Sequence, residues 1–520
     1  MRFSRAVRSS KQCLPSPNGL LIATLFHSVV NIRDVRTLDV VKIISLPSDL
    51  SGPVYSFQWS PSSLLVLVAV GDQIVVLSAI PDGTFQATIG NAVPPGAKPL
   101  AIGFGPVDTE IWVFSSFGLK LTLFDLQTSR GVEINNPKFH TASSACNGLS
   151  FRSGSNHLAI MTRAAGRDVI SIHDSVSKRI LRSWQPDTID AQGLAWSPDG
   201  KWLIVWESES QGHKVIFYTP DGNLFRTWVG PSSPTPECQH YQLGAGVKLV
   251  RFSGDARQLA IGDNSRGVYI IDMTSIKESM LLAHPHTIVP RETVQVWQEQ
   301  VNTLEAASPV HTFIKADQAL LPPTRASTDN ADTRVGTKSI SFDSSSSLVA
   351  TMMNDSLGTL WIWDTHASEL RAVLLFHADI QTVSWHPSCR ETLMIRCDGE
   401  LYSNIVFVWD PLSKGPRTLD FTPQLLQQKA SGKSQACWLH MKDTEHPSLF
   451  FSDSHSYVLA VIAESVRESV YWEDGWDSEK RQREESPLEL VPADITVDNS
   501  LSEDEDGHAS ELEDTFIHKH

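Results

Sequence analysis

Eighteen histidines and six cysteines give this 520-residue chain ample material for metal or nucleophilic chemistry, but their spacing organises none. A structural zinc site needs four Cys or His ligands, usually in close pairs. Cys13, Cys146, Cys238, Cys389, Cys397 and Cys437 contain no C-x-x-C pair. Scattered single thiols of this kind act as small buried hydrophobes and fit a reducing compartment. His284-Pro285-His286 is the tightest histidine cluster; with no second pair at ligand spacing, it reads as a loop entering a structural unit. Gly432-Lys433-Ser434 has the ending of a phosphate-binding loop without its leading Gly, and Gly244-Ala245-Gly246 runs into a strand where a dinucleotide fingerprint requires a helix. Neither H-E-x-x-H nor G-x-S-x-G occurs. Asn354-Asp355-Ser356 matches a glycosylation acceptor but reads as a turn between strands. The residues predict no catalysis, no cofactor and no metal.

The elements that would carry such groups are repeats. Nine segments share an apolar pair, an aromatic, a small or polar step and a turn into an apolar strand. They centre on Pro15, Trp59, Phe104, Phe151, Trp196, Phe252, Phe342, Trp385 and, more weakly, Trp438. Anchors 15 to 196 recur every 44 to 47 residues, the length of a four-stranded blade. The aromatic ends a strand and buries its ring between blades, and turns such as Ser197-Pro198-Asp199-Gly200 lead into the next strand. A later strand in each unit stops on a polar residue, as at Asp34, Asp125, Asp174 and Asp272. In Trp363-Asp364 and Trp409-Asp410 the stop is the dipeptide that marks WD repeats. The fold class expected is therefore all-β, a WD-repeat β-propeller of eight or nine blades in one large ring. A seven-bladed ring with two extra units, or two incomplete rings, fits nearly as well. Closure would use Phe3-Ser4-Arg5-Ala6-Val7 as the outer strand of the blade begun at Cys437.

Trp59, Trp196, Trp363, Trp385 and Trp409 fall on repeat positions and are expected in the core, with Asp364 and Asp410 as blade positions. His377 is expected to be buried, bonded to polar partners near Asp398 and Trp409 rather than catalytic. Trp202, Trp206, Trp228, Trp472 and Trp476 fit the pattern less well; packing on a blade explains them more simply than an interface does.

The net charge of −16 is uneven. Residues 473–520 hold sixteen acids and four bases, which leaves the body nearly neutral and general nucleic-acid binding disfavoured. The division expected is a propeller over 1–465, interrupted by a Pro-rich inserted loop at 284–335, and an acidic, largely disordered tail over 466–520. Residues 465–485 could form one exposed helix, and Val294 to Trp297 could add a strand. Replacing 300–334 with a linker is expected to spare folding. No apolar signal core follows Met1-Arg2-Phe3-Ser4-Arg5, and the run Leu64 to Leu77 is broken by Gly71-Asp72-Gln73 and too short to span a bilayer. The expected location is the cytoplasm.

The stretch Gly193 to Glu207, the following Lys214 to Leu224, the start from Phe3-Ser4 to Leu38, the His284-Pro285 insertion and Leu348 to Asp364 together resemble one family. This is WD-repeat protein eight, encoded antisense to a p53-related gene in vertebrates. Pro15 stands where that family has an aromatic. The resemblance implies a non-enzymatic scaffold on the cytoskeleton at microtubule-organising centres, the centrosome or spindle pole body. It would bind a coiled-coil microtubule-anchoring protein, help anchor minus ends and organise the mitotic spindle, and in fungi help load a minus-end-directed kinesin. Neither a small-molecule substrate nor a membrane enters this picture. Two other classes stay open: a translation-initiation-type propeller binding ribosome or RNA, and a hydrolytic propeller with acids converging in its channel.

Overall fold

The computed structural model describes residues 1–462 other than 49, 51, 91–100, 116–118, 139–146, 232–244, 303–309, 324–335, 427–433 and 441–445, together with the strand Phe516–Ile517. The described residues form nine antiparallel-based sheets. We number these blades in chain order: 1 (13–45), 2 (54–89), 3 (101–135), 4 (149–184), 5 (191–228), 6 (247–283), 7 (337–375), 8 (380–420) and 9 (435–461). Each is a meander whose strands succeed one another from the inside outwards. Helix among the described residues is limited to three 3₁₀ turns, Glu209–Gln211, Glu400–Tyr402 and Thr422–Gln424.

The meander is written into the turns. Ser16, Ser60, Ser197 and Ser253 each accept the backbone N–H five residues on, at 2.9–3.0 Å. At Ser197 the hydroxyl also donates to Asp199, 2.6 Å away. The chain then turns through a left-handed residue, Gly200 at φ +69°, where a Cβ is disfavoured. The polar stops work in the same way one turn later. Asp34, Asp174 and Asp364 accept N–H groups two and three residues ahead, 2.7 to 3.2 Å away, which fixes the turn into the outermost strand.

Packing decides the ring. Nine apolar clusters each bridge two blades adjacent in the chain. Ala23 and Val30 of blade 1 pack with Phe57 and Val68 of blade 2, for example. The cycle is completed where Cys13 and Ile22 meet Phe450, Tyr457 and Leu459 of blade 9. Nine clusters joining nine sheets in a closed cycle make one ring of nine blades. Two incomplete rings would leave some neighbouring blades unpacked. The seam is sealed by Arg2–Phe3 and Val7–Arg8, both paired with Ser456–Val461 as the outer strand of blade 9. Between them Ser4 bonds Leu459 through both its backbone N–H, at 2.8 Å, and its hydroxyl, which accepts Leu459 N–H at 2.9 Å. Pro15 ends the innermost strand of blade 1, paired with Ile22.

The insertion is not a loop lying outside the sheet pattern. Gln295–Asn302 pairs parallel with Glu369–Leu375, and Val310–Lys315 pairs beyond it, giving blade 7 six strands. Burial on both faces drives this: the consecutive Val296 and Trp297 pack into the clusters on either side of blade 7, so the strand completes its core. The expected helix at 465–485, and Trp472 and Trp476, lie outside the described residues. The chain's far end returns as Phe516–Ile517, paired with Thr88 and Ile89 on the outer edge of blade 2.

Candidate protein-interaction surfaces

The polar chemistry held inside this ring is structural. In blade 7, Trp363 Nε1 donates to Thr351 Oγ1 at 2.9 Å, Thr351 Oγ1 lies 2.7 Å from His284 Nε2, and His284 Nδ1 lies 2.8 Å from the carbonyl of Arg266. A neutral imidazole protonated at Nδ1 satisfies every member of this relay. Burial pushes the His284 pKa down to about 3, so the ring stays neutral at working pH. His386 is likewise pushed down to about 4 by burial, and its Nδ1 accepts Cys389 N–H at 2.8 Å, closing the turn after Trp385. On the side of blades 4 and 5, Lys138 Nζ sits 2.9 Å from Asp168 and 2.7 Å from Asp190. Burial opposes the charge on Asp190, but Lys138 and Arg163 outweigh it and hold the carboxyl below the usual range. Each of these groups is spent on its neighbours. Among the described residues no three His, Cys, Asp or Glu side chains converge as metal ligands. No helix among them is long and apolar enough to cross a membrane.

The sequence-derived blade positions fall as follows. Trp59 and Trp385 are buried, and each donates its indole N–H across the blade boundary, to Leu14 and Ser341 carbonyls respectively, both at 2.9 Å. Trp438 does the same towards Ser384, although its repeat was the weakest. Trp196 is buried under the Arg152 guanidinium. Trp363 and Trp409 lie in the core, with Asp364 and Asp410 half-buried in their turns. Trp206 is buried too, packed against Gly193, where a Cβ would lie 2.1 Å from the ring. The expectation for His377 needs correction. Its residue is exposed, as is Asp398, and its backbone N–H donates to Glu299 Oε2 at 2.8 Å. The described residues bury five other histidines instead, His173, His213, His284, His311 and His386, and the inserted strand that carries Glu299 reaches His377 only through its backbone. Ser434, the end of the phosphate-loop-like run, bonds Arg396 and Ser403 inside blade 8, and Lys433 lies outside the described residues.

What sequence reasoning missed is the lock on the insertion. Glu299 and His311, on its two strands, are almost wholly buried and joined at 2.6 Å. Glu299 also accepts the Tyr402 hydroxyl of blade 8 at 3.1 Å, and Thr418 donates to the His311 carbonyl at 2.8 Å. The hairpin is thus bolted to two blades while Val310, Ile314 and Leu321 stay exposed. An acid and a histidine twelve residues apart in a Pro-rich stretch carried no periodic signal. Replacing 300–334 would therefore strip His311 from a buried carboxylate, contrary to the sequence-based expectation.

No family model matches the chain. A curated relative, the WD repeat-containing protein WRAP73 of Mus musculus, is 25% identical over 431 residues, covering 79% of this chain and 87% of its own length. The chain resembles the WD-repeat protein eight family. An uncharacterized WD repeat-containing protein of Schizosaccharomyces pombe is 22% identical over 471 residues, covering 87% of this chain and 90% of its own. Alignments of that length exceed what a few blades supply, so the likeness to WD-repeat protein eight is one of the whole ring. Among solved structures, the Cps50 (Swd1) β-propeller domain of Myceliophteria_thermophila covers 78% of this chain and 98% of its own at 15% identity, with a TM-score of 0.36. A WD-repeat propeller similar to WRAP73 over this length supports the reading of a protein-interaction scaffold.

Proposed function

We propose that this chain is a non-enzymatic scaffold of the cytoplasm and cytoskeleton, working at the microtubule-organising centre, either centrosome or spindle pole body. There it binds a coiled-coil microtubule-anchoring protein, helps tether minus ends and organise the mitotic spindle, and in fungi presents a minus-end-directed kinesin. The resemblance to WD-repeat protein eight supports the location and the partners. The single observation that carries the scaffold role is the closed nine-blade ring with a bolted-on hairpin. A rigid ring holds two partners at a fixed separation with little loss of its own conformational freedom. Loops carried on rigid elements are the usual sites of binding. The segments to change are 303–309, which joins the two inserted strands in sequence, and 324–335, which precedes blade 7 in sequence, since the strands themselves hold Glu299 and His311.

The test is to tag the protein at its chromosomal locus, follow it through mitosis, and identify what co-purifies. Concentration at spindle poles with a coiled-coil partner is expected. A diffuse signal, or a purification dominated by ribosomal proteins, refutes the reading. Replacing 303–309 and 324–335 with Gly/Ser linkers should leave the ring folded and weaken capture of the partner; unchanged capture removes the hairpin from the mechanism.

A further inference from the structure

Where the ring closes, blades 9, 1 and 2 enclose a groove of about 780 Å³. It lies on the face that carries the turns between the second and third strands, since Phe26 and His27 come from that turn in blade 1 and Ser454 and His455 from the same turn in blade 9. Its apolar lining is Leu25, Phe26, Leu46, Leu50, Val54 and Val70, with Leu426 exposed at the lip. The charged or titratable groups around it are Arg8, Lys11, His27 and His455, and no carboxylate belongs to the described lining. Asp453, beside it, is turned back into its own turn, accepting the N–H groups of His455 and Ser456 at 2.7 and 2.6 Å. In a body that is nearly neutral overall, this is a local basic rim over an apolar floor.

The groove is held open by its own hydrogen bonds. Ser10 Oγ donates to the Leu25 carbonyl at 2.6 Å, Leu25 N–H reaches Gln12 at 2.9 Å, Ser9 N–H reaches His455 at 2.7 Å, and Leu46 N–H reaches Ser28 at 2.8 Å. Walls fixed in this way bind without paying an ordering cost. Ligand sites of this size bury apolar groups and use a few polar groups for orientation.

We propose that this seam groove docks an acidic peptide segment of a partner protein, one with two or three large apolar side chains flanked by Asp and Glu. The apolar side chains fill the floor, and the carboxylates meet Arg8 and Lys11. The proposal deepens the scaffold reading above and rests on it for the partner's being a protein. Charge complementarity selects this occupant. The rival is the chain's own acidic segment at 503–514, which precedes the strand Phe516–Ile517 on neighbouring blade 2.

The experiment uses the purified full-length chain and a fluorescein-labelled peptide with two Leu and one Phe between Asp/Glu pairs, read by anisotropy. Binding is expected that weakens with salt and falls at least tenfold in Arg8→Glu/Lys11→Glu and in Leu426→Asp. All three side chains are exposed, so the fold should survive, and circular dichroism and melting confirm it. Equal binding by these variants, or equal binding of a peptide with Lys in place of every acid, overturns the proposal. So does binding only after residues 487–520 are deleted, which assigns the groove to the chain's own tail. Peptide binding does not depend on cellular location. A groove variant that loses the peptide yet still gathers its partner at spindle poles therefore refutes the groove alone, whereas a wild-type protein absent from the poles refutes the scaffold reading alone.

Discussion

Acidification should loosen this ring through His284 well before its carboxylates are protonated. The imidazole is buried, accepts from Thr351 and donates to Arg266, and burial holds its pKa at about 3 against an ordinary 6.5. Below 6.5 the unfolded chain takes up a proton that the folded ring refuses, so the unfolded state binds more protons and stability falls as pH drops. The contribution is intact above 6.5 and erodes from there down towards 3. One pH unit corresponds to about 1.4 kcal/mol, so moving from pH 7 to pH 5 costs about 2 kcal/mol through this residue alone. Histidine C2–H hydrogen exchange read by mass spectrometry reports the site directly. No inflection should appear for His284 between pH 5 and 8. Urea midpoints at pH 7, 6 and 5 should fall, and the slope should be shallower in His284→Gln. A His284 inflection near 6.5 in the folded protein, or an unchanged slope in the variant, would refute the reasoning, because either would mean that the relay does not exclude the charged ring.

Trp409 is wholly buried between blades 7 and 8 in a cluster that includes Trp297 of the hairpin. Trp409→Ala should cost about 3–5 kcal/mol; a lowered melting temperature with lost amide protection in 295–302 is expected, and an unchanged melt would displace the ring from the core. His311→Ala should cost about 1–3 kcal/mol by leaving the buried Glu299 side chain without the imidazole that bonds it at 2.6 Å. Adding Glu299→Gln should recover part of that loss in denaturant melts, and no recovery would mean that packing, not charge, makes the lock.

The sequence by itself determined the blade. Aromatics at 59, 104, 151 and 196, 45 to 47 residues apart, a Ser or Asp at the head of one turn and an Asp at the head of another are local instructions. Each is executed within a few residues: Ser197 bonds within its own turn, as does Asp364. That locality is why strands, turns and the burial of Trp59, Trp196 and Trp385 were legible without coordinates. Only the tertiary structure decided the number of blades in a ring, because closure depends on contacts such as Ile22 with Phe450, more than four hundred residues apart and set by how each wedge-shaped sheet packs on the next. It also decided which histidines are buried. His377 had the repeat position, but a strand from the Pro-rich insertion lies beside blade 7 and brings Glu299 to its backbone and His311 to the core. The seam groove was illegible for the same reason: Arg8, Phe26, Val54, Leu426 and His455 share no pattern along the chain and meet only because the ring closes there.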